Sequence, residues 1–352
     1  MTTNETADAA EPASDAPKRP RSGRATIYDI AELAGVNPST VSRALSRPGR
    51  VSAKTEEKIR RAAAELNFRI NPMARALPTG RTMTLAVVVA DITNPVVFRT
   101  IRGAERAAAS SNYTLVIAES QESGSAEASA IERLLPSVDG IVLATTRLAP
   151  EVIADIAGRV PLVAINSRPP GVSSVVTDAA DAVSQLIGHL VALGHTSIGY
   201  VAGPPTSWSS AQRWEALLAE SERHGLAVVE IPSGSPTIEG GHAAYRRVIA
   251  SRVTAVVGFN DLIAIGIMQE AAAAGVRVPD ELSVAGFDDI FGSELIVPAL
   301  TTVRADLDRA GAQAVESLLA QIQDGRPRED AEPMPTELIV RGSTGPASAR
   351  PL

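Results

Sequence analysis

The chain has 352 residues, of which 45% are hydrophobic, 21% charged and 3% aromatic; this is a globular composition, long enough for two or three domains with cores of Ala, Val, Leu and Ile. It contains no cysteine, which excludes disulfides, thiolate metal sites and thiol catalysis and fits a reducing cytoplasm. The formal charge is −7, yet Lys18 to Arg81 hold 14 Lys/Arg against 5 Asp/Glu, so one basic module is expected on a strongly acidic body.

Residues 1–24 are rich in Ala, Pro, Asp and Glu, end in the basic run KRPRSGR and have no hydrophobic period. They read as a disordered tail whose basic end is a solvated tether or an arm adding phosphate contacts. No apolar leader and no run of 18 apolar residues occurs, so neither export nor a membrane span is expected.

From Thr26 to Asn67 the apolar period becomes helical. Ile27, Ile30, Ala31 and Ala34 share one face, Val41, Ala44 and Leu45 a second, and Ile59, Ala62, Ala63 and Leu66 a third. Gly35 breaks the first helix, Pro38 starts the second, and Ser52, Thr55 and Glu56 open the third. Two helices joined at a tight turn, the second exposing Ser39, Thr40, Ser42 and Arg43, have the form of a helix-turn-helix. Arg43 has the two-pronged donor geometry that reads guanine in the major groove. Thr26, Tyr28, Asn37, Ser42, Ser46, Ser52 and Thr55 carry groups suited to phosphate oxygens, or singly to helix caps. Residues 71–82, NPMARALPTGRT, are too short for a stable isolated helix and read as a conditional hinge.

Beyond the hinge, apolar runs at 84–90, 114–118, 139–144 and 160–165 alternate with helical stretches at 99–111 and 126–135, which predicts a parallel sheet. The alternation begins again with strands at 197–202, 226–231, 253–259 and 282–287. Its helices fall near 180–193, 209–224, 239–251 and 261–274, and a helix at 306–323 and a strand at 336–341 follow. Two doubly wound lobes place a ligand between them, at the carboxyl ends of the strands.

The runs TIYDIAELAGVNPSTVSRALS, RVSAKTEEKIRRAAAELNF and NPMARALPTGRT closely resemble the DNA-binding end of the lactose-repressor (LacI/GalR) family of bacterial transcription regulators. The resemblance continues through VDGIVLA, HLVALGHTSIGYVAGP, GFNDLIAIGIM, LSVAGFDD and PALTTV, covering about residues 26–343. It implies an α/β protein with an all-α head and hinge helix, followed by a two-lobed body like the periplasmic sugar-binding proteins. The head spans 25–70, the hinge 71–81, the body 82–343 and a tail 344–352. The first lobe takes about 82–177 and 305–333, the second about 178–304 and 334–343. The recognition helix becomes 38–45, with Ser39, Thr40 and Arg43 at the base edges and Pro38 contributing no hydrogen bond. In the hinge, Ala74 and Leu77 enter the minor groove, Leu77 as a wedge, and Asn71 joins the phosphate contacts.

The same resemblance assigns Arg213, Asn260 and Asp288 to an effector between the lobes, with Asp91, Asn94, Phe98 and Asn166 as further contacts. Asn260 and Asp288 also suit helix or turn caps. Three departures weaken the pattern for a sugar: Asn94-Pro95 is followed by Val96 and Val97 rather than an aromatic pair, and Asn166 and Ala305 stand where acidic or polar residues are usual. Trp208 and Trp214 are either an aromatic wall or packing.

His189 and His195, six apart across Gly194, do not share a helical face as a metal pair would. No phosphate loop, HExxH or GxSxG motif occurs. The expectation is therefore a cytoplasmic homodimeric repressor with no metal, cofactor or catalysis, binding a near-palindromic operator under control of a small molecule. The other readings are a global regulator governed by a protein partner and a solute-binding protein.

Overall fold

The computed structural model describes residues 25–46, 49–68, 80–330 and 332–349. The chain divides into two compact units, one ending at Gly80 and one beginning at Arg81.

The first unit contains three helices, α1 (Ile27–Ala34), α2 (Pro38–Ser46) and α3 (Ala53–Glu65). Their small core is Ile30, Ala31, Val41, Ala44, Ile59 and Ala62, the residues whose spacing puts them on facing sides. Gly35 ends α1 at φ 65°, a left-handed conformation that glycine adopts without a Cβ penalty, and so turns the chain into α2.

The second unit holds two sheets. In lobe 1, β1 (Thr84–Val89), β2 (Thr114–Glu119), β3 (Gly140–Ala144), β4 (Leu162–Ile165) and β5 (Ser173–Val175) lie in the order β2-β1-β3-β4-β5, all parallel. Helices α4 (Val96–Ser110), α5 (Gly124–Leu134) and α6 (Pro150–Ala157) alternate with the strands. Strand β1, interior to the sheet, is apolar on both faces because both are covered: Leu85, Val87 and Val89 join one core, Ala86 and Val88 the other.

Lobe 2 repeats this winding. It contains α7 (Ala179–Ala192), β6 (Ser197–Ala202), α8 (Trp208–His224), β7 (Ala227–Pro232), α9 (Ile238–Ala250), β8 (Ala255–Gly258), α10 (Asp261–Ala273), β9 (Ser283–Phe287) and β10 (Thr301–Ala305). After β10 the chain crosses to lobe 1 as α11 (Leu307–Asp324), which packs along α4 with Ala310, Ala314, Val315 and Leu318 in the lobe 1 core. It returns to lobe 2 as β11 (Thr336–Ile339), antiparallel to β10, giving the order β11-β10-β9-β8-β6-β7.

Three strands of chain thus connect the lobes. The first and third are tied side by side: Asp178 N–H donates to Met334 O at 2.9 Å, and Met334 N–H to Val176 O at 2.7 Å. A helix-turn-helix head followed in the chain by two mainly parallel sheets is the expected fold class. Three elements have no counterpart among the strands and helices read from periodicity. β5 is a three-residue edge strand and α6 only two turns long, both too short to show a period, and β10 lies in the TTVRA run directly ahead of a helix start.

Candidate functional site

In the head, the exposed surface of α2 is set by its buried one. Val41 and Ala44 face the core, so Ser39, Ser42 and Arg43 are exposed and Thr40 half-buried. Arg43 Nε donates to Ser39 O one turn back, at 3.2 Å. Asn37 precedes the helix and accepts from Thr40 N–H at 2.8 Å through its main-chain oxygen.

Two of the hydroxyls expected at phosphates are helix caps. Thr26 accepts from Asp29 N–H, and the Asp29 carboxylate takes both Thr26 N–H at 2.6 Å and its hydroxyl at 2.7 Å, which lowers the Asp29 pKa. Ser52 accepts from Thr55 N–H at 3.3 Å, and the two hydroxyls meet at 2.8 Å. Both therefore stand at helix amino ends, where main-chain N–H groups and the helix dipole favour phosphate. Tyr28 is 68% exposed. Ser46 closes α2. Arg50, Lys54, Lys58, Arg60 and Arg61 are exposed around α3. Asn71, Ala74 and Leu77 lie outside the described residues.

In the body, a crevice of about 1040 Å³ including its mouth opens between the lobes. It lies where doubly wound sheets bind ligands, at the carboxyl ends of the strands on either side of the order reversal. Ala90 and Asp91 follow β1, Ala144 ends β3 and Thr145 follows it, Phe259 and Asn260 follow β8, and Phe287 ends β9 with Asp288 next.

Arg213 is the centre of the lobe 2 wall. Its guanidinium lies 4.3 Å from the Phe287 ring centre and 5.0 Å from that of Phe259, a double cation–π contact. Nη1 donates to Phe259 O, and Nη2 lies 3.3 Å from Asp288 Oδ1. Burial raises the Asp288 pKa while Arg213 lowers it, and the raising effect prevails. Asp288 has φ 106°, an uncommon conformation held between β9 and the turn that follows.

Asn260 lines the crevice, but its side chain is committed to structure: Oδ1 accepts from Ile263 N–H at 3.0 Å as the cap of α10, and Nδ2 donates to Pro236 O at 2.8 Å. Next to it, Asp261 is fully buried and accepts from Ile290 N–H, Ser293 and Thr302, fixing the turn that carries Asp288.

On the lobe 1 wall, Asp91 accepts from Thr93 N–H at 2.7 Å and its hydroxyl at 2.6 Å, and Asn94 Oδ1 accepts from Val96 N–H at 3.1 Å in the turn that leads into α4. Asn166 Oδ1 accepts from Thr177 N–H and hydroxyl at 3.2 and 3.3 Å, tying the end of β4 to the first crossover. Phe98 requires a correction. Val96 and Val97 line the crevice, but Phe98, a further helical step round α4, is 53% exposed and outside the lining. Ala305 lines it without a polar group.

The sequence reading missed Glu122, Arg147 and Arg304, all of which line the crevice. Each follows or ends a strand, after β2, after β3 and within β10, so the rule that ligands sit at strand carboxyl ends would have drawn attention to them. Trp214 is packing, stacked on Tyr200 with ring centres 5.8 Å apart. Trp208 lines a separate crevice beside the crossovers, with Arg168 and Asp178. His189 bonds Thr344 at 2.9 Å, and His195 bonds Thr254 at 2.8 Å and Gly345 O at 3.2 Å, so both hold the C-terminal segment to lobe 2. Among the described residues, no cluster of His, Asp or Glu suits a metal ion, and no helix is long and apolar enough to cross a membrane.

Residues 26–71 match the family model for bacterial regulatory proteins of the lacI family, and residues 187–344 that for a periplasmic binding protein-like domain. The chain is 31% identical over 328 residues to the HTH-type transcriptional repressor CytR of Escherichia coli (strain K12), covering 91% of this chain and 96% of the relative. A crystal structure of the Lac repressor dimer bound to operator and the anti-inducer ONPF superposes with TM-score 0.83 at 27% identity, over 92% of this chain and 99% of that one. The transcriptional regulator CelR in complex with cellobiose gives 0.67 at 28% identity, over 91% and 100%. A helix-turn-helix whose second helix exposes Ser39, Ser42 and Arg43, a two-lobed body with its polar crevice, and 31% identity over nine-tenths of the sequence agree: the chain belongs to the LacI family of bacterial transcription regulators and is not an enzyme.

Proposed function

We propose that this protein is a cytoplasmic homodimeric repressor. It reads a near-palindromic operator through Ser39, Thr40 and Arg43, and its operator affinity is set by a small molecule bound between the lobes. The observation that carries this reading is the crevice itself, where Arg213, Asp288 and the strand-end loops of both lobes converge. A molecule held by both lobes favours one relative lobe arrangement over others, and by linkage operator and effector must change each other's affinity by the same factor. The dimer and operator in the Lac repressor structure and the cellobiose in CelR support the partners proposed.

Thr26, Tyr28, Asn37, Ser42, Ser46, Ser52, Thr55 and Asn71 provide the phosphate contacts, and Ala74 and Leu77 the minor-groove contacts. Asp91, Asn94, Asn166 and Asn260 line or shape the effector site around Arg213 and Asp288. The polar lining favours a small-molecule effector over control by a protein partner alone.

The test is binding of the purified protein to genomic DNA fragments, including the region beside its own gene, at two salt concentrations and with a panel of sugars and related metabolites. Fragment-specific binding that survives moderate salt and responds to one compound is the expected result. Sequence-blind binding abolished by moderate salt would reduce the head to counterion release and overturn the proposal.

A further inference from the structure

Arg147 follows β3 on the loop leading to α6. Its side chain is only 6% exposed, yet it lines the interlobe crevice. Three bonds hold it in place: Nε donates to Glu122 Oε2 at 2.7 Å, and Nη1 to the carbonyls of Thr145 at 2.9 Å and Thr146 at 3.2 Å. Among the described residues, no hydrogen bond involves Nη2. The main chain is anchored as well, since Arg147 N–H donates to Glu127 Oε2 at 2.8 Å and Glu127 is almost wholly buried.

The supports are themselves in uncommon conformations. Glu122 has φ 60° and Thr145 φ 62°, in the left-handed region that disfavours residues with a Cβ. A desolvated ion pair contributes little to stability compared with apolar packing of the same volume. A guanidinium held this firmly at a cavity wall, with one edge unclaimed, is therefore better explained by what enters the cavity.

Lobe 2 carries the same device. Arg213 is likewise bound to a carbonyl, that of Phe259, and to a carboxylate, that of Asp288. The charged groups of the lining are Asp91, Glu122 and Asp288 against Arg147, Arg213 and Arg304, so the crevice is balanced. Arg304 is also taken, by Asp289 at 2.7 Å.

We infer that Arg147 and Glu122 form the lobe 1 half of the effector site, facing Arg213 and Asp288, and that the site selects an uncharged polyhydroxylated molecule bridging the two pairs. This rests on the reading of the crevice as the effector site. A hydroxyl accepts from a guanidinium N–H and donates to the neighbouring carboxylate without separating the pair. A phosphate or carboxylate ligand placed on either guanidinium would instead bring its negative charge beside Glu122 or Asp288, a like-charge repulsion that an uncharged hydroxyl does not meet.

The full-length protein is screened by thermal shift against uncharged pentoses, hexoses, disaccharides and ribonucleosides together with their phosphorylated or uronic-acid counterparts. Hits are then measured by calorimetry. The expected result is binding of an uncharged compound, with its anionic counterpart at least about tenfold weaker. Arg147→Met and Glu122→Gln should each weaken that compound about tenfold or more, and Arg147→Lys should recover part of the loss. Loss of a paired partner is expected to lower the thermal midpoint somewhat, but all three variants should still unfold in one cooperative transition and keep ligand-free DNA binding, which separates ligand reading from misfolding.

Wild-type affinity in both Arg147→Met and Glu122→Gln, or tighter binding of the anionic counterpart, overturns the inference. If Arg213→Met still loses binding in either case, the effector reading of the crevice stands. Absence of any binding compound, or undiminished binding in Arg213→Met, overturns that reading along with the inference.

Discussion

Gly103 of α4 lies so close to the carbonyl oxygen of Asp308 in α11 that a Cβ at position 103 would overlap it. The approach is reciprocal, because a Cβ at Gly311 would overlap the carbonyl of Thr100. The two helices therefore cross at backbone contact, and the Asp308 carboxylate receives Arg99 and Arg106, each at 3.0 Å. The crossing matters beyond lobe 1, since α11 lies between the second and third connections of the lobes. Gly103→Ala is expected to force the helices apart and cost about 1–3 kcal/mol of stability. Thermal or urea unfolding of the variant checks this, and a midpoint unchanged from wild type would show that the crossing absorbs the methyl group.

Arg43 is exposed on α2, and its bond to Ser39 O at 3.2 Å is a weak local tether that operator DNA would replace. Arg43→Ala is expected to cost about 1–3 kcal/mol of operator affinity and to relax preference at one base pair. Binding to a library of single-base operator variants gives both numbers. An unchanged base preference with weaker binding overall would place Arg43 on a phosphate.

How far the sequence reveals this protein depends on whether a feature is periodic or assembled. The head was legible because three helical faces, Gly35, Pro38 and Ser52 all mark the same boundaries. The sheets were legible because strands covered on both sides are continuous apolar runs such as TLAVVV. The crevice was legible only in part. Arg213 and Asp288 stand in recognisable motifs, whereas Glu122 and Arg147 are 25 residues apart and meet only because β1 and β3 are neighbours while β2 lies outside them. Phe98 was misplaced because one helical step decides whether a side chain faces the ligand or the solvent, and chain position alone does not give that angle.

Leu77 is an apolar residue in a linker that also holds Arg75 and Arg81, and the proposed reading makes it a wedge in the minor groove. Partial unstacking is productive only where the duplex bends to meet both heads, so the benefit belongs to the operator. Leu77→Ala is expected to weaken operator binding while leaving nonspecific binding within about twofold. Parallel titrations on operator and scrambled duplexes test it, and equal loss on both would remove the wedge assignment.

Asp261 links the effector wall to the turn behind it, and its protonation gives a pH signature. Burial, reinforced by the charge of Asp288, pushes its carboxyl up to about 8, against the three donors that favour the ionised form. The folded value thus lies above the unfolded one, so the native state takes up a proton. The stability this contributes is fully present below about pH 4 and is lost as pH rises through about 8. His189 and His195 act in the opposite sense, because burial lowers their pKa and their contribution is lost as pH falls below the ordinary histidine range. Asp261→Asn makes the site uncharged at every pH and leaves both histidines in place. The difference in thermal midpoint between Asp261→Asn and wild type is therefore expected to shift in favour of the variant from pH 5 to about pH 8 and to level off above it. A difference that does not change with pH would mean that Ile290 N–H, the hydroxyls of Ser293 and Thr302 and the amino end of α10 hold Asp261 ionised throughout.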